Sequence, residues 1–69
     1  MEKYRDVHIG RLIEQKVREK RIPITEFAKR LSCSRTAIYY LFQVKSIDTD
    51  KLILISSVLE HDFFAEYFM

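Results

Sequence analysis

Chain breakers are nearly missing from this sequence: across 69 residues it holds one glycine, Gly10, and one proline, Pro23. Strand-rich folds punctuate the chain with turn residues and alternate apolar with polar side chains. Neither pattern is present, so the chain reads as helices joined by short turns, an all-α fold. This length allows one domain and lies near the lower limit for a self-sufficient core. Nearly half of the residues are hydrophobic and nine are aromatic, which suffices if every helix contributes an apolar face.

Residues 1–7 are mostly polar and read as a flexible lead-in, with Asp6 placed to cap a helix. From His8, Ile9, Leu12, Ile13 and Val17 recur at helical spacing, which predicts an amphipathic helix over about 8–20. Pro23 suits the first turn of a second helix, about 23–31, with Phe27, Ala28 and Leu31 on its apolar face. Ser32-Cys33-Ser34 is a short polar break, and Ser34 is placed to cap a third helix, about 35–42. At about 100° per residue, Arg35, Thr36, Tyr39 and Tyr40 share one arc of that helix, and Ala37, Ile38, Leu41 and Phe42 the other. The apolar arc anchors, while a guanidinium, a hydroxyl and two phenols remain outside.

Gln43 to Ile47 reads as a loop. Asp48 or Thr49 then caps a fourth helix, about 49–59, with Asp50 in its first turn. Leu52, Ile55, Ser56 and Leu59 form one face, but Ile53, Leu54 and Val58 are apolar too. Such a helix is central or is covered by a partner. Asp62 is placed to cap a last short helix, about 62–68, rich in phenylalanine and tyrosine.

Net charge is only +2, but it is unevenly spread. Eleven of the twelve Lys and Arg precede residue 48, against five acids, while the remainder holds Lys51 against five acids. One end of the domain is thus suited to phosphates and the other is not, although a solvated charged surface gives the same count. The lone Cys33 cannot form an intramolecular disulfide and reads as small core filler. With neither a signal peptide nor a membrane span in the sequence, a cytoplasmic location is the default. His8 and His61 read as surface or capping residues. Metal-ligand spacing, a phosphate-cradling glycine loop and a nucleophile beside a base are all missing, which argues against an enzyme and implies no metal, cofactor or small-molecule ligand.

A helix, a short turn and a second helix with a polar outer arc form a helix-turn-helix. The ordered set Ile9-Gly10, Phe27-Ala28, Leu31, Ser34-Arg35-Thr36-Ala37-Ile38, then Leu52, Ile55, Leu59 and Asp62-Phe63-Phe64 resembles the phage-repressor and Cro family, or Xre type. The likeness covers about residues 8–68. The Phe27–Arg35 run and the Ser46-Ile47-Asp48-Thr49 loop are similar to those of small Xre-like regulators of gut Bacteroidetes. The resemblance implies a compact five-helix bundle of the lambda-repressor-like DNA-binding type over residues 8–69. It implies sequence-specific binding of double-stranded DNA by a bacterial transcriptional regulator working on the nucleoid, with helix 35–42 in the major groove. By position Arg35, Thr36 and Tyr40 match base-reading places, with Ser34 and Tyr39 beside them. The chemistry of Arg35 suits guanine O6 and N7, whereas the tyrosines suit phosphate or sugar better and can equally be half-buried packing residues. Phosphate candidates are the backbone N–H groups near Ile24 and Thr25, and Gln43, Lys45 and Ser46 in the following loop.

Three departures stand out. Ile24 replaces a family Gln that binds phosphate, Ser32 replaces the turn glycine, and a family ion pair falls on Val17 and Phe42. The last two are apolar together, which predicts that they pack against each other. A lone reading helix binds weakly, so pairing on half-sites about 34 Å apart is expected. Ile53, Leu54, Val58, Phe64 and Phe68 are the candidate homodimer seam, although a small domain also needs aromatics for its own core. The competing reading is a protein-interaction module, antitoxin-like or dimerising, that uses the helix-turn-helix as scaffold.

Overall fold

The computed structural model describes residues 5–68, which form four α-helices and one 3₁₀ turn. In order these are α1 (Ile9–Glu19), α2 (Ile24–Arg30), α3 (Arg35–Gln43), α4 (Thr49–Leu59) and the 3₁₀ turn Phe63–Tyr67. The helix starts follow from local chemistry. Ser34 Oγ accepts the Ala37 N–H at 3.1 Å, and Asp48 Oδ1 accepts the Lys51 N–H at 2.7 Å. Each such cap stabilises its helix by about 1 kcal/mol. Pro23 is itself the N-cap of α2, one residue before the position that the sequence predicts.

Two expectations about the lead-in change. Asp6 does not cap α1; His8 does, its Nδ1 accepting the Arg11 N–H at 3.3 Å. Asp6 instead forms an ion pair with Lys45 at 2.8 Å. Residues 1–4 of the expected flexible segment, and Met69, lie outside the described residues. Arg5 is tied to the body, its N–H bonding to the Tyr67 carbonyl at 2.7 Å.

The last segment is also corrected. An α-helix over 62–68 is not formed; Phe63–Tyr67 is a single 3₁₀ turn closed by Phe68 N–H to the Ala65 carbonyl at 3.2 Å. Asp62 does cap it, accepting from the Phe64 N–H at 3.0 Å. The turn buries Phe63 and leaves Tyr67 half-buried. A segment this short has too few i→i+4 bonds to favour the α over the tighter form.

All four helices and the 3₁₀ turn feed one core. It is built from Ile9, Ile13 and Val17 of α1, Phe27 and Ala28 of α2, and Ile38, Leu41 and Phe42 of α3. Leu52, Ile55 and Leu59 of α4, with Phe63, complete it. Val17 and Phe42 both belong to this cluster, and the Phe42 ring stacks on Phe27 with centroids 6.5 Å apart. Cys33, expected as core filler, is exposed, because the α2–α3 turn that carries it faces outward. Among the described residues no buried side chain is charged, so the core depends on apolar burial and on backbone hydrogen bonds.

The contact of α1 with α3 is the tightest joint. Ile9 N–H donates to the Lys45 carbonyl at 3.0 Å, and Gly10 N–H donates to the Val44 carbonyl at 2.9 Å. The first turn of a helix has no internal acceptors for these groups, so the chain leaving α3 supplies them. The approach requires glycine: a Cβ on Gly10 would lie 2.5 Å from the Val44 oxygen and 2.6 Å from those of Leu41 and Phe42. Backbone carbonyls cannot swing aside as a flexible side chain can.

Three helices end in left-handed residues, none of them glycine: Arg21 (φ 55°), Ser32 (φ 56°) and Glu60 (φ 51°). At each, the following N–H reaches back to a carbonyl five residues earlier: Ile22 to Val17 (3.1 Å), Cys33 to Ala28 (2.9 Å) and His61 to Ser56 (3.0 Å). These are Schellman closures made despite the Cβ penalty. Two predictions follow from the backbone. Gly10→Ala should lower stability by about 1–3 kcal/mol, read as a fall in melting temperature, while leaving the exposed face of α3 unaltered. Arg21→Gly, Ser32→Gly and Glu60→Gly should each raise stability by roughly 0.5–1 kcal/mol, because relief of the left-handed strain exceeds the added entropy of the unfolded chain.

Candidate functional site

The turn between α2 and α3 sets which side chains of α3 face out. Leu31 ends α2, Ser32 takes the left-handed conformation, and Ser34 is extended and caps α3. Ser32 thus holds, without being glycine, the left-handed conformation that closes the turn. Helix α3 then buries Ile38, Leu41 and Phe42 and exposes the rest of its surface. Ala37, expected on the anchoring arc, is exposed. It sits where the two arcs meet, and a groove rather than a packed neighbour lies against it.

The exposed surface of α3 is ordered. Thr36, Tyr40 and Gln43, spaced i, i+4 and i+7, run along its crest, and Arg35 and Tyr39 form a second row toward α1. Tyr40 is 70% exposed, which sets aside the half-buried alternative for it, whereas Tyr39, at 52%, has about half of its surface covered. Gln43 belongs to this face because it is the last residue of α3, not the first of the loop; the break comes at Val44, which is extended. Ser34 Oγ is engaged as an acceptor in the cap, so its hydroxyl can still donate outward.

Two grooves border α3. One, between α3 and α1, is lined by His8, Arg11, Glu14, Tyr39, Phe42 and Gln43. The other, between α3 and the chain leading into α4, is lined by Ser34, Thr36, Ala37, Tyr40, Leu41, Val44, Ile47 and Lys51. Arg11 and Lys51 had no place among the sequence candidates. Arg11 reads only as one of the polar residues between apolar positions of helix 1, and Lys51 falls in the acidic end of the chain. Helix α4 brings Lys51 back beside Tyr40.

Ion pairing sorts the basic residues further. Lys16, Arg18, Arg30 and Lys45 are paired with Glu19, Glu14, Glu26 and Asp6 at 2.8–3.2 Å. Arg5, Arg11, Lys20, Arg21, Lys29, Arg35 and Lys51 have no acidic partner among the described residues. Lys16 holds the Glu19 carboxyl below the usual range through a hydrogen bond and its positive charge. The carboxylate that lines the α1 groove, Glu14, is occupied by Arg18 at 2.8 Å. His8 accepts through Nδ1, which places the proton of its neutral ring on Nε2.

The remaining candidates disperse. The Ile24 side chain packs against the core, so only its backbone N–H is available, and Thr25 beside it is exposed. Pro23 offers that helix start no side-chain cap. Lys45 and Ser46 are exposed in the linker, Lys45 being held by Asp6. On α4, Ile53 and Leu54 are 53% and 46% exposed, whereas Val58 packs partly against the core. Phe64 and Phe68 are exposed.

Among the described residues no group of His, Cys, Asp and Glu is placed to hold a metal ion. No helix there is long and apolar enough to cross a membrane. Compared with family models, with curated proteins and with solved structures, the chain matches none.

Proposed function

We propose that this chain binds double-stranded DNA sequence-specifically, as a transcriptional regulator of lambda-repressor-like type, with α2 and α3 as the helix-turn-helix and α3 in the major groove. One observation carries the reading: α3 buries an apolar strip completely and turns outward a continuous face of hydrogen-bonding side chains with an unpaired guanidinium at its start. That face suits base edges, and a helix about 10–12 Å across fits a groove of about 12 Å.

Residue roles follow from placement. Arg35, in the first turn, is the donor pair for guanine O6 and N7, and Thr36 reaches a neighbouring base edge or thymine methyl. Gln43 lies about 10 Å further along the same crest, the length of roughly three base-pair steps, and is suited to adenine N6 and N7. Tyr39 and Tyr40 lean toward the backbone, where their hydroxyls donate to phosphate. Ser46, Thr25 and the N–H of Ile24 supply further positioning contacts. Lys45 contributes only if it leaves Asp6.

A single reading helix gives modest affinity, so two copies on adjacent half-sites complete the proposal. Ile53 and Leu54 are the seam, since these aliphatic side chains are about half exposed on a helix that is already anchored by its other face. The same exposed side chains favour the second reading, a protein-interaction module, if the partner is a different protein.

Selection of bound duplexes from a random pool should return a defined motif, and Arg35→Ala should lose about 1–3 kcal/mol of preference at one position of it, with non-specific affinity retained. Loss of both in equal measure would make Arg35 a phosphate contact instead. Absence of any duplex binding at low salt would leave the protein-interaction reading in its place. In sedimentation equilibrium on a two-half-site duplex, Leu54→Glu should abolish paired occupancy while single-site affinity stays within about twofold, since a substitution on an exposed face leaves the fold nearly unchanged.

A further inference from the structure

We infer that the two grooves bordering α3 are seats for the two sugar-phosphate strands of a duplex, with Arg11 the phosphate clamp on one strand and Lys51 on the other. The inference rests on the DNA-binding reading and adds to it two residues from α1 and α4. Each groove meets one side of α3: Arg11 lines the one with Tyr39 and Gln43, and Lys51 lines the one with Thr36 and Tyr40. A helix in the major groove is bordered by two phosphate strands about 12 Å apart. Two grooves separated by one helix diameter match that separation.

The chemistry of the linings fits the same occupant. A nucleic-acid strand presents apolar deoxyribose and anionic phosphate in alternation. The Lys51 groove sets apolar Ala37, Val44 and Ile47 beside the hydroxyls of Ser34, Thr36 and Tyr40 and one ammonium. The Arg11 groove sets a guanidinium beside the His8 ring, whose Nε2–H is a further donor, and its one carboxylate, Glu14, is already paired with Arg18. Neither Arg11 nor Lys51 has an acidic partner among the described residues, so neither must break an ion pair to reach phosphate. Lys45, nearer in sequence to α3, must leave Asp6 first.

The test is fluorescence anisotropy on a selected duplex between 50 and 200 mM salt, with the intact chain, Arg11→Gln, Lys51→Gln, the double variant, and Lys20→Gln as control. Lys20 lies about 13 Å further along α1 than Arg11. Each clamp contributes about 0.9 to the slope of log affinity against log salt, so each single variant should lose that much and the double variant about twice as much. Over this salt range wild-type affinity should therefore fall about 3.5-fold more than that of either single variant. The selected motif should be unchanged, and Lys20→Gln should keep the wild-type slope. Thermal melts of both exposed-site variants should overlay the wild type. A wild-type slope in either single variant, a slope loss in the control as large as in the variants, or an altered motif would overturn the clamp while leaving DNA binding intact. Absence of salt-dependent binding by the wild type would overturn the parent reading and the clamp together.

Discussion

The fold depends on a joint between two helix ends. The opening N–H groups of α1, which no helix can satisfy internally, donate to the carbonyls of Val44 and Lys45 just beyond α3. The positive end of one helix macrodipole therefore lies against the negative end of another. Gly10 permits this because any larger residue would meet three carbonyl oxygens. Once α1 is held there, Ile9, Ile13 and Val17 line up over the apolar strip of α3, and the opposite side of α3 has nowhere to go but outward. The candidate site is thus a by-product of how the core is closed.

Much of this could be read from residue order. Helices α1, α3 and α4 were legible because each has a capping residue or an apolar period, and Ser34 and Asp48 perform the caps that their positions suggest. The split of α3 into two arcs was legible for the same reason, since a single period governs which residues share a side. Ala37 was misplaced because it lies at the boundary between arcs, where periodicity alone cannot assign a side and the neighbouring groove decides.

Other features depended on contacts distant in sequence. Gln43 reads as loop because neither glycine nor proline marks the stop at Val44, where the backbone turns extended and the carbonyl receives the Gly10 N–H. Lys51 was hidden in an acidic stretch, and only the packing of α4 sets it beside Tyr40. Asp6 looked like a cap until His8 occupied that role and Lys45 offered it a charge. The 3₁₀ turn was legible as a short capped segment but not as to its type, since a five-residue run carries no period that separates i+3 from i+4 bonding.

The hydrogen bond from Arg5 to Tyr67 has a consequence for topology. It places backbone from opposite extremes of the described chain side by side, so the path of the polypeptide is almost a closed loop. A short linker across that junction would cost little closure entropy. For the same reason, the chain enters the described body at Arg5 and leaves it at Phe68 at neighbouring points.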